Sequence, residues 1–260
     1  MRLFPRRLRH GEEATLVEHL GELRARIFIC LFAIVAAFVV TYVFHGHILD
    51  WMNRPLPANA GKPITFSPIE PFSTSILVSL WAALLLALPV VLWQLWAFLA
   101  PAFQDHRQRS VVIMVAFATV LGGAGIAFGY FVVLPAAIHF LTNYDSQHYD
   151  IQLRARDYYR FVSFVLVGVA IAFEVPVFVL GLVRLRILSA ARLRHTWRYG
   201  VFLMTVIGVI LPGIDPITTM LTVLPLVALY LLSIGLASFF EPRWRARDAA
   251  QEAAFEGGDF

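Results

Sequence analysis

Three charged side chains near the N-terminus recur every four residues, in the order Glu18, Glu22 and Arg26. This spacing places them on one face of a helix, where Glu22 and Arg26 can pair in the favourable order. An apolar run begins at Ile27, so the carboxylates lie at the edge of a segment that only a bilayer would hold. A partly desolvated carboxylate binds a guanidinium group through two hydrogen bonds. The pattern therefore indicates either an interfacial helix whose charges face water or a recognition site for a cationic ligand.

Another carboxylate, Glu174, lies inside the apolar sequence VGVAIAFEVPVFVL, with no basic residue within a helical turn. An ionised carboxylate there costs several kcal/mol, so we expect it to be protonated, to face water or to bond to a neighbouring helix, with Gln94 as its partner. Pro176 cannot donate to the carbonyl of Ala172, which predicts a kink beside Glu174. Two hypotheses remain, a glutamate satisfied by helix packing and a polar notch that docks a partner helix or thins the membrane locally.

The other reactive side chains form no pattern that indicates catalysis. The histidines are scattered without a metal-ligand spacing. Cys30 is the single cysteine, so it cannot close an intrachain disulfide. No nucleophile lies beside a base, and the sequence has no phosphate-binding loop. We therefore expect no enzyme, no cofactor and no metal, and the net charge of +4 is too small to indicate nucleic acid.

The elements that must position these residues are membrane spans. The 260 residues are 59% hydrophobic and 15% charged, whereas soluble domains are about half apolar and a quarter charged. Six apolar runs predict an all-α integral membrane protein with six transmembrane helices; the runs are Ile27–Phe44, Ser73–Leu99, Val111–Leu134, Phe161–Val183, Tyr199–Leu211 and Ile217–Phe240. The fifth run would reach about 20 Å as a helix, so it needs polar flanks or a thinner bilayer.

The loop charges predict the orientation of these spans. Sixteen of the 21 Lys and Arg residues fall in segments that place both termini in the cytoplasm, and the long connections 45–72 and 139–160 would face the other side. The proline-rich first connection should wrap over the helices. We divide the chain into an amphipathic cytoplasmic segment 1–26, a membrane domain 27–240 and a cytoplasmic tail 241–260, and we expect no removable signal peptide. Prolines within spans, at Pro89, Pro135 and Pro225, favour a curved wall of helices.

The sequence HLGELRAR, at His19–Arg26, resembles the HLxELRxR signature at the start of the TatC family, the multispanning subunit of the twin-arginine protein translocase. Further stretches similar to the family follow in order: RPL at 54–56, LPVVLWQLWAFLAP at 88–101, FGYFVVLPAAIHFL at 128–141, FEVPV at 173–177 and LPGIDPITTMLTVLP at 211–225. Each stretch alone is weak evidence, but their order and spacing make the match specific.

The resemblance implies a cupped scaffold in the cell inner membrane, within an oligomeric complex. It would bind signal peptides with consecutive arginines on the cytoplasmic face, recruit single-span TatA/TatB-type subunits and use the proton-motive force. Carried over to this sequence, Glu22 would pair with a guanidinium group. Arg24 would hold the carboxylates or contact the peptide backbone, and Phe98 would pack against residues beyond the arginine pair.

The loop after the second span departs from the family pattern, which usually supplies another glutamate there. This chain reads QDHRQR at 104–109 and has Arg107 at the aligned position. We predict that Asp105, with or without Glu18, replaces that glutamate; the alternative is that Asp105 is a solvated loop charge. In the last hairpin, Thr219 lies in a region that the family uses to contact single-span partners, and Asp215 either joins it or caps the sixth helix.

These observations favour a receptor and core subunit of a protein translocase. The alternative from another class is a proton-coupled small-solute transporter with Glu174 as its relay. Such a transporter needs further buried ionisable groups along a path, and the spans offer almost none. An intramembrane enzyme is disfavoured because no catalytic set is present.

Overall fold

The computed structural model describes residues 16–57, 61–99, 108–145, 147–148, 151–210 and 216–256. This part of the chain is helical, apart from turns and one isolated β-bridge between Ile64 and Arg154. The helices are α1 (Leu16–Val43), α2 (His45–Asn53), α3 (Glu70–Leu99), α4 (Gln108–Phe128), a π-helical segment (Gly129–Val133), α5 (Leu134–Asn143), α6 (Ala155–Phe173), α7 (Val175–Arg184), α8 (Ala190–His195), α9 (Trp197–Ile210) and α10 (Pro216–Glu256). The predicted all-α class is confirmed.

Five segments of the described chain are long and apolar enough to cross a membrane: Leu20–Val43, Glu70–Leu99, Val112–Asn143, Ala155–Arg184 and Pro216–Ala246. The protein is therefore a membrane protein. Helix α9 has 14 residues, which is about 21 Å at 1.5 Å per residue and shorter than the roughly 30 Å hydrocarbon layer. The sequence predicted this short helix, and its crossing of the bilayer as a sixth span remains a prediction.

Helices α1 and α10 run through the predicted segment boundaries. Helix α1 begins at Leu16 and continues past residue 26, and α10 continues past residue 240 to Glu256. A polar portion and an apolar portion thus share one continuous helix at each end of the chain. The predicted boundaries at residues 26 and 240 mark where the chain enters and leaves the bilayer, and helix ends do not show this. The division therefore remains a prediction.

Two prolines in the spans coincide with breaks in regular α-helix. Helix α6 ends at Phe173 and α7 begins at Val175, so the chain is interrupted at Glu174, beside Pro176. The interruption lies at the position where the sequence predicted a kink. Pro135 follows the π-helical segment Gly129–Val133, whereas Pro89 and Pro225 lie inside α3 and α10. Proline lacks the backbone N–H donor, and the hydrogen bonds of the neighbouring turns rearrange to satisfy the freed carbonyl.

The segment α6–α7 is the centre of the packing. In its most apolar window 72% of the residues are buried, against 11% for α1. It packs against α3, α4 and α10, while α1 packs mainly along α3. The apolar side chains of α1 that face away from α3 are exposed, as lipid-facing side chains of a membrane helix are. The carboxylate of Glu174 therefore lies in the centre of the protein, and that of Glu22 lies at its edge.

Three tyrosines attach α2 to the membrane helices. Their hydroxyls donate hydrogen bonds near the end of α2, from Tyr130 to the carbonyl of Trp51 at 2.9 Å, from Tyr158 to that of Met52 at 2.5 Å and from Tyr159 to Oδ1 of Asn53 at 3.0 Å. The two carbonyls belong to the last turn of α2, where that of Trp51 also accepts from the backbone N–H of Arg54 at 3.2 Å. The first long connection is thus packed onto the helices, as the sequence predicted.

A buried carboxylate, Glu70, joins the two long connections. Its side chain is 3% exposed and accepts hydrogen bonds from Nε of Arg154 at 2.9 Å and from the backbone N–H groups of Phe66 at 3.1 Å and Arg156 at 3.3 Å. The bond to this carboxylate raises the pKa of the Arg154 guanidinium. The guanidinium also lies 5.6 Å from the ring of Phe66. This cluster was not predicted from the sequence, where its one visible signal is an acidic residue at the first position of a helix.

The indole of Trp96 in α3 packs directly against Gly181 in α7. A Cβ atom at this position would lie 2.1 Å from Cη2 of Trp96, which is 2% exposed. We expect Gly181→Ala to displace the buried indole and to destabilise the protein by about 1–3 kcal/mol, measured by thermal unfolding in detergent. Gly235→Ala in α10 is the matched control, since its Cβ would meet nothing within 4 Å. Equal melting temperatures of the two variants would contradict the prediction.

Candidate functional site

The predicted ion pair at the start of α1 is present. Nε and Nη2 of Arg26 donate to Oε1 of Glu22 at 3.0 and 2.5 Å. The side chains are 20% and 22% exposed, respectively. A pair at this depth is screened less than a surface pair, so its charges interact more strongly than they would in bulk water.

Arg26 also connects α1 to the end of α3, which the sequence did not predict. Its Nη1 donates to Oε1 of Gln94 at 3.2 Å, and its Nη2 donates to the carbonyl of Ala97 at 3.1 Å. Because α3 ends at Leu99, the carbonyl of Ala97 is one of the last four, which have no intrahelical donor. The positive side chain also complements the negative end of the helix dipole. One guanidinium group thus binds a carboxylate, an amide oxygen and a helix end at the edge of the fold.

The predicted partnership between Gln94 and Glu174 is wrong. The amide oxygen of Gln94 accepts from Arg26. Glu174 lies beside Gly122 instead, where a Cβ atom on the glycine would meet Oε1 of Glu174 at 2.8 Å and Cδ2 of Leu88 at 3.0 Å. Leu88 precedes Gln94 by six residues, which is about 9 Å along the helix axis. The two polar side chains therefore lie at different depths in the membrane domain.

The two predicted neighbours of Glu22 have different surroundings. Arg24 is exposed, and its guanidinium lies 5.7 Å from the ring of Phe28. Arg24 and Glu22 are two residues apart and so point about 200° apart around the helix. Arg26 therefore has the role of holding Glu22 that was predicted for Arg24. Phe98 is half-buried in the last turn of α3, beside Ala97.

Several predicted site residues lie outside the described part of the structure. These are Asp105 and Arg107 in the loop after α3, Asp215 before α10, and the side chain of Glu18. Thr219 is described and lies half-buried in the first turn of α10. Its predicted contact with a partner helix stays a prediction.

The carboxyl group of Glu174 is enclosed by apolar surroundings. The residue is 2% exposed, and neither carboxyl oxygen has a hydrogen-bond partner within the described residues. A Cβ atom on Gly122 of α4 would lie 2.8 Å from Oε1, so the carboxyl group occupies space that the glycine leaves open. A buried polar group without a partner is costly, and the fold tolerates it here. The packing of the described helices does not satisfy this glutamate.

Residues that could form a metal site or a proton path are sparse. No three His, Cys, Asp or Glu side chains come together as metal ligands among the described residues. Within the same part of the chain, the buried side chains of the Asp, Glu, His, Lys and Arg types are Glu70 and Glu174. Glu70 is bonded to Arg154 at the end of α3 opposite Ala97. This arrangement provides no second relay group next to Glu174, so the small-solute transporter hypothesis lacks support.

Known proteins resemble this chain along most of its length. Residues 18–225 match the model of the family described as Sec-independent protein translocase protein (TatC). The chain is 32% identical over 240 residues to the Sec-independent protein translocase protein TatCd of Bacillus subtilis strain 168, covering 92% of this chain and 98% of that protein. It is 34% identical over 264 residues to TatC of Koribacter versatilis strain Ellin345, covering 96% of each.

A solved structure agrees with the sequence relatives. The crystal structure described as twin arginine translocase receptor TatC in DDM superposes with a TM-score of 0.76 at 30% identity, over 84% of this chain and 99% of that chain. Fold, sequence and the spacing of the motifs thus lead to the same assignment. The chain belongs to the TatC family of Sec-independent protein translocase proteins.

Proposed function

We propose that this protein is the receptor subunit of a twin-arginine translocase in the cell inner membrane. It binds Arg-Arg signal peptides of folded proteins on the cytoplasmic face and recruits single-span partner subunits. The observation that carries the proposal is the half-buried Glu22 carboxylate, which already holds a guanidinium group at the rim of the membrane domain. A related solved structure is described as a twin arginine translocase receptor.

The orientation that this function requires is supported by helix contacts. Arg26 joins the start of α1 to the end of α3, and the Gly181–Trp96 contact brings the end of α7 to the same side. Glu241 of α10 accepts a hydrogen bond from the backbone of α8 on that side as well. Most Lys and Arg residues lie in the segments next to these helix ends. We propose that this side is the cytoplasm, and that α9 completes six spans.

In this proposal the peptide exchanges with an internal guanidinium group. The first arginine of the signal displaces Arg26 from Glu22 and takes over its hydrogen bonds. Arg24 contacts the peptide backbone, and Phe98 packs against residues beyond the arginine pair. Asp105, with or without Glu18, supplies the carboxylate for the second arginine. As part of the same proposal, the proton-motive force drives transport of the folded protein.

Peptide selectivity tests the function directly. We expect the purified protein in lipid nanodiscs to bind an Arg-Arg signal peptide about tenfold more tightly than its Lys-Lys counterpart, or ~1.4 kcal/mol. The planar guanidinium matches a carboxylate at two points, whereas an ammonium group acts as a point charge. Fluorescence anisotropy of labelled peptides measures the difference, with a Gln-Gln peptide as the baseline. Equal affinities of the Arg-Arg and Lys-Lys peptides would exclude the receptor site described here.

Glu174 has a separate role in the proposal, as a polar notch that docks a partner helix. Because the residue is 2% exposed, docking requires the helices around it to separate at this position. We expect Glu174→Gln to leave the affinity for the Arg-Arg peptide within about twofold, because the carboxyl group lies far from Glu22. The same variant should reduce both partner co-purification and transport, because the buried carboxyl group has no hydrogen-bond partner among the described residues and a docked helix would supply one. Gly122→Ala, which crowds Oε1 without removing the carboxyl group, should act in the same direction. Parallel loss of peptide binding would show that the two roles are not separate.

A further inference from the structure

Two arginines in the first two turns of α6 lie on the outer surface of the fold. Arg156 and Arg160 are four residues apart, so they share one face of the helix. Both are exposed. Among the described residues, neither guanidinium is paired with a carboxylate or donates a side-chain hydrogen bond. Arg154, by contrast, is bonded to Glu70. The two arginines thus present positive charge to the surroundings of the protein.

The position of this pair along α6 is where the hydrocarbon layer of a bilayer meets the lipid head groups. The candidate span Ala155–Arg184 has 30 residues, which is about 45 Å at 1.5 Å per residue, whereas the hydrocarbon layer is roughly 30 Å thick. A centred span therefore extends about 7.5 Å beyond the hydrocarbon at each end. Arg160 lies about 7.5 Å from the start of this span, and Arg156 lies one turn closer to it. The two side chains are thus at the level of lipid phosphates.

The surface next to Arg160 is aromatic and apolar. Its guanidinium lies 5.5 Å from the ring of Phe164, and that ring packs against the indole of Trp81 in α3, with 4.8 Å between the centroids. Further along the same face of α6, Ile171 is exposed. Side chains of a helix point toward its N-terminus, so Arg160 is directed from this apolar surface toward the head groups. An amphiphile could therefore place its charged group at the arginines and its acyl chains along the aromatic rings.

Apolar side chains at the start of α3 are exposed on the same side of the fold. Ile69 and Phe72 are exposed, and they flank Glu70, whose carboxylate binds Arg154 just before α6. Large exposed apolar side chains are typical of a surface that contacts lipid. The start of α6 therefore lies within the lipid layer rather than in bulk water. An arginine at this level is costly unless an anion compensates its charge.

We propose that Arg156 and Arg160 bind the phosphate of an anionic phospholipid in the leaflet opposite the Glu22 site. Each planar guanidinium donates to phosphate oxygens at two points, and the acyl chains cover Phe164 and Trp81. A partner helix would supply a carboxylate only while it is bound, whereas lipid phosphates surround the protein at this level, and this favours the lipid. The bound head group fixes the depth of α6, the centre of the packing, in the bilayer. The site is at the opposite end of the fold from Glu22, so it does not depend on signal recognition.

An acidic neighbour reduces the attraction for a lipid phosphate without cancelling it. Asp157 is exposed and interacts electrostatically with Arg154. At the start of α6 the three arginines face two carboxylates, those of Glu70 and Asp157, which leaves one net positive charge among the described residues. One basic residue at an anionic membrane surface strengthens binding by about fivefold, and two by about 25-fold. Because Asp157 offsets part of this gain, we expect a preference of about tenfold for an anionic lipid.

Photo-crosslinking with a labelled lipid tests the proposal at the site itself. Full-length protein is placed in phosphatidylcholine nanodiscs with a small fraction of phosphatidylglycerol or phosphatidylcholine that carries a diazirine in one acyl chain. After illumination, peptide mass spectrometry measures the label on segment 161–171 and on the segment that contains Trp81. We expect about tenfold more label from phosphatidylglycerol than from phosphatidylcholine in the unmodified protein. In Arg156→Gln with Arg160→Gln, the two lipids should label these segments almost equally.

Arg54→Gln with Lys62→Gln is the matched control, because it removes the same charge from exposed residues of the first long connection, outside the candidate spans. The control should keep the preference for phosphatidylglycerol, and equal losses in both double variants would reduce the effect to general surface charge and overturn the proposal. If the double variant is unstable, Arg160→Gln alone should lower the preference about threefold, and no change would equally overturn it.

Two further outcomes would assign the arginines to another ligand. Glycerol phosphate, added at a concentration equal to that of the labelled phosphatidylglycerol, should not reduce the labelling. A reduction would assign the arginines to a soluble anion and overturn the proposal. Unchanged labelling in Arg156→Gln with Arg160→Gln, together with reduced co-purification of single-span subunits, would assign them to a protein partner and overturn it as well.

Discussion

Replacement of Glu22 by Gln is expected to weaken binding of an Arg-Arg signal peptide by about 10- to 100-fold, or ~1.4–2.8 kcal/mol. The carboxylate lies at the rim of the fold with 22% of its side chain exposed. Removal of one partner from a charge pair at this depth costs more than in a surface pair and less than in a fully buried pair. The change to Gln preserves the shape of the side chain and removes its charge. Peptide titration by fluorescence anisotropy in nanodiscs measures the effect.

Arg26→Gln is the matched variant, because it removes the other half of the same ion pair. Both variants break the link between Glu22 and Arg26, but only Arg26→Gln leaves the carboxylate in place and removes its internal competitor. We expect Arg26→Gln to bind the Arg-Arg peptide as tightly as the unmodified protein or more tightly. If both variants weakened binding equally, the pair would serve only to hold α1 against α3, and Glu22 would not be the recognition residue.

Glu70→Gln is expected to lower the melting temperature of the purified protein by roughly 5 °C. The carboxylate accepts hydrogen bonds from Arg154 and from two backbone N–H groups. A glutamine there would direct its NH₂ group at one of these donors and leave the Arg154 guanidinium without its counter-charge. The damage should spread from the β-bridge at Ile64 into the packing of the first long connection.

The control for this experiment is Asp157→Asn, an exposed acidic residue close by in α6. Its loss should leave the melting temperature almost unchanged, since exposed charges contribute little to stability. Arg-Arg peptide binding measured below the transition should be normal in both variants, because Glu70 lies at the end of α3 opposite the Glu22 site. A melting temperature of Glu70→Gln equal to that of Asp157→Asn would show that the buried cluster does not stabilise the fold.

Features contained within one helix were predictable from the sequence. The apolar runs, the short α9, the break beside Pro176 and the Glu22–Arg26 pair all agree with the structure. Each of them follows from local rules, since hydropathy sets the span, proline removes a donor and a spacing of four residues aligns two side chains. The family resemblance also came from short motifs along the chain, and the match over residues 18–225 confirmed it.

Partners on different helices were decided by the tertiary structure alone. Gln94 was predicted to bond to Glu174 and bonds to Arg26 instead. The depth of each side chain in the membrane domain depends on the offset and rotation of α3 relative to α1 and α6, and the sequence does not fix either. The same holds for Glu70, whose partner Arg154 is 84 residues away. Glu241 of α10 likewise accepts a hydrogen bond from the backbone N–H of Ala190 in α8, which is 51 residues away. Sequence patterns determined which segments enter the membrane and which of their faces are polar. Only the packing of helices determined which polar groups meet, because helix rotation and offset follow from the fit of many side chains at once.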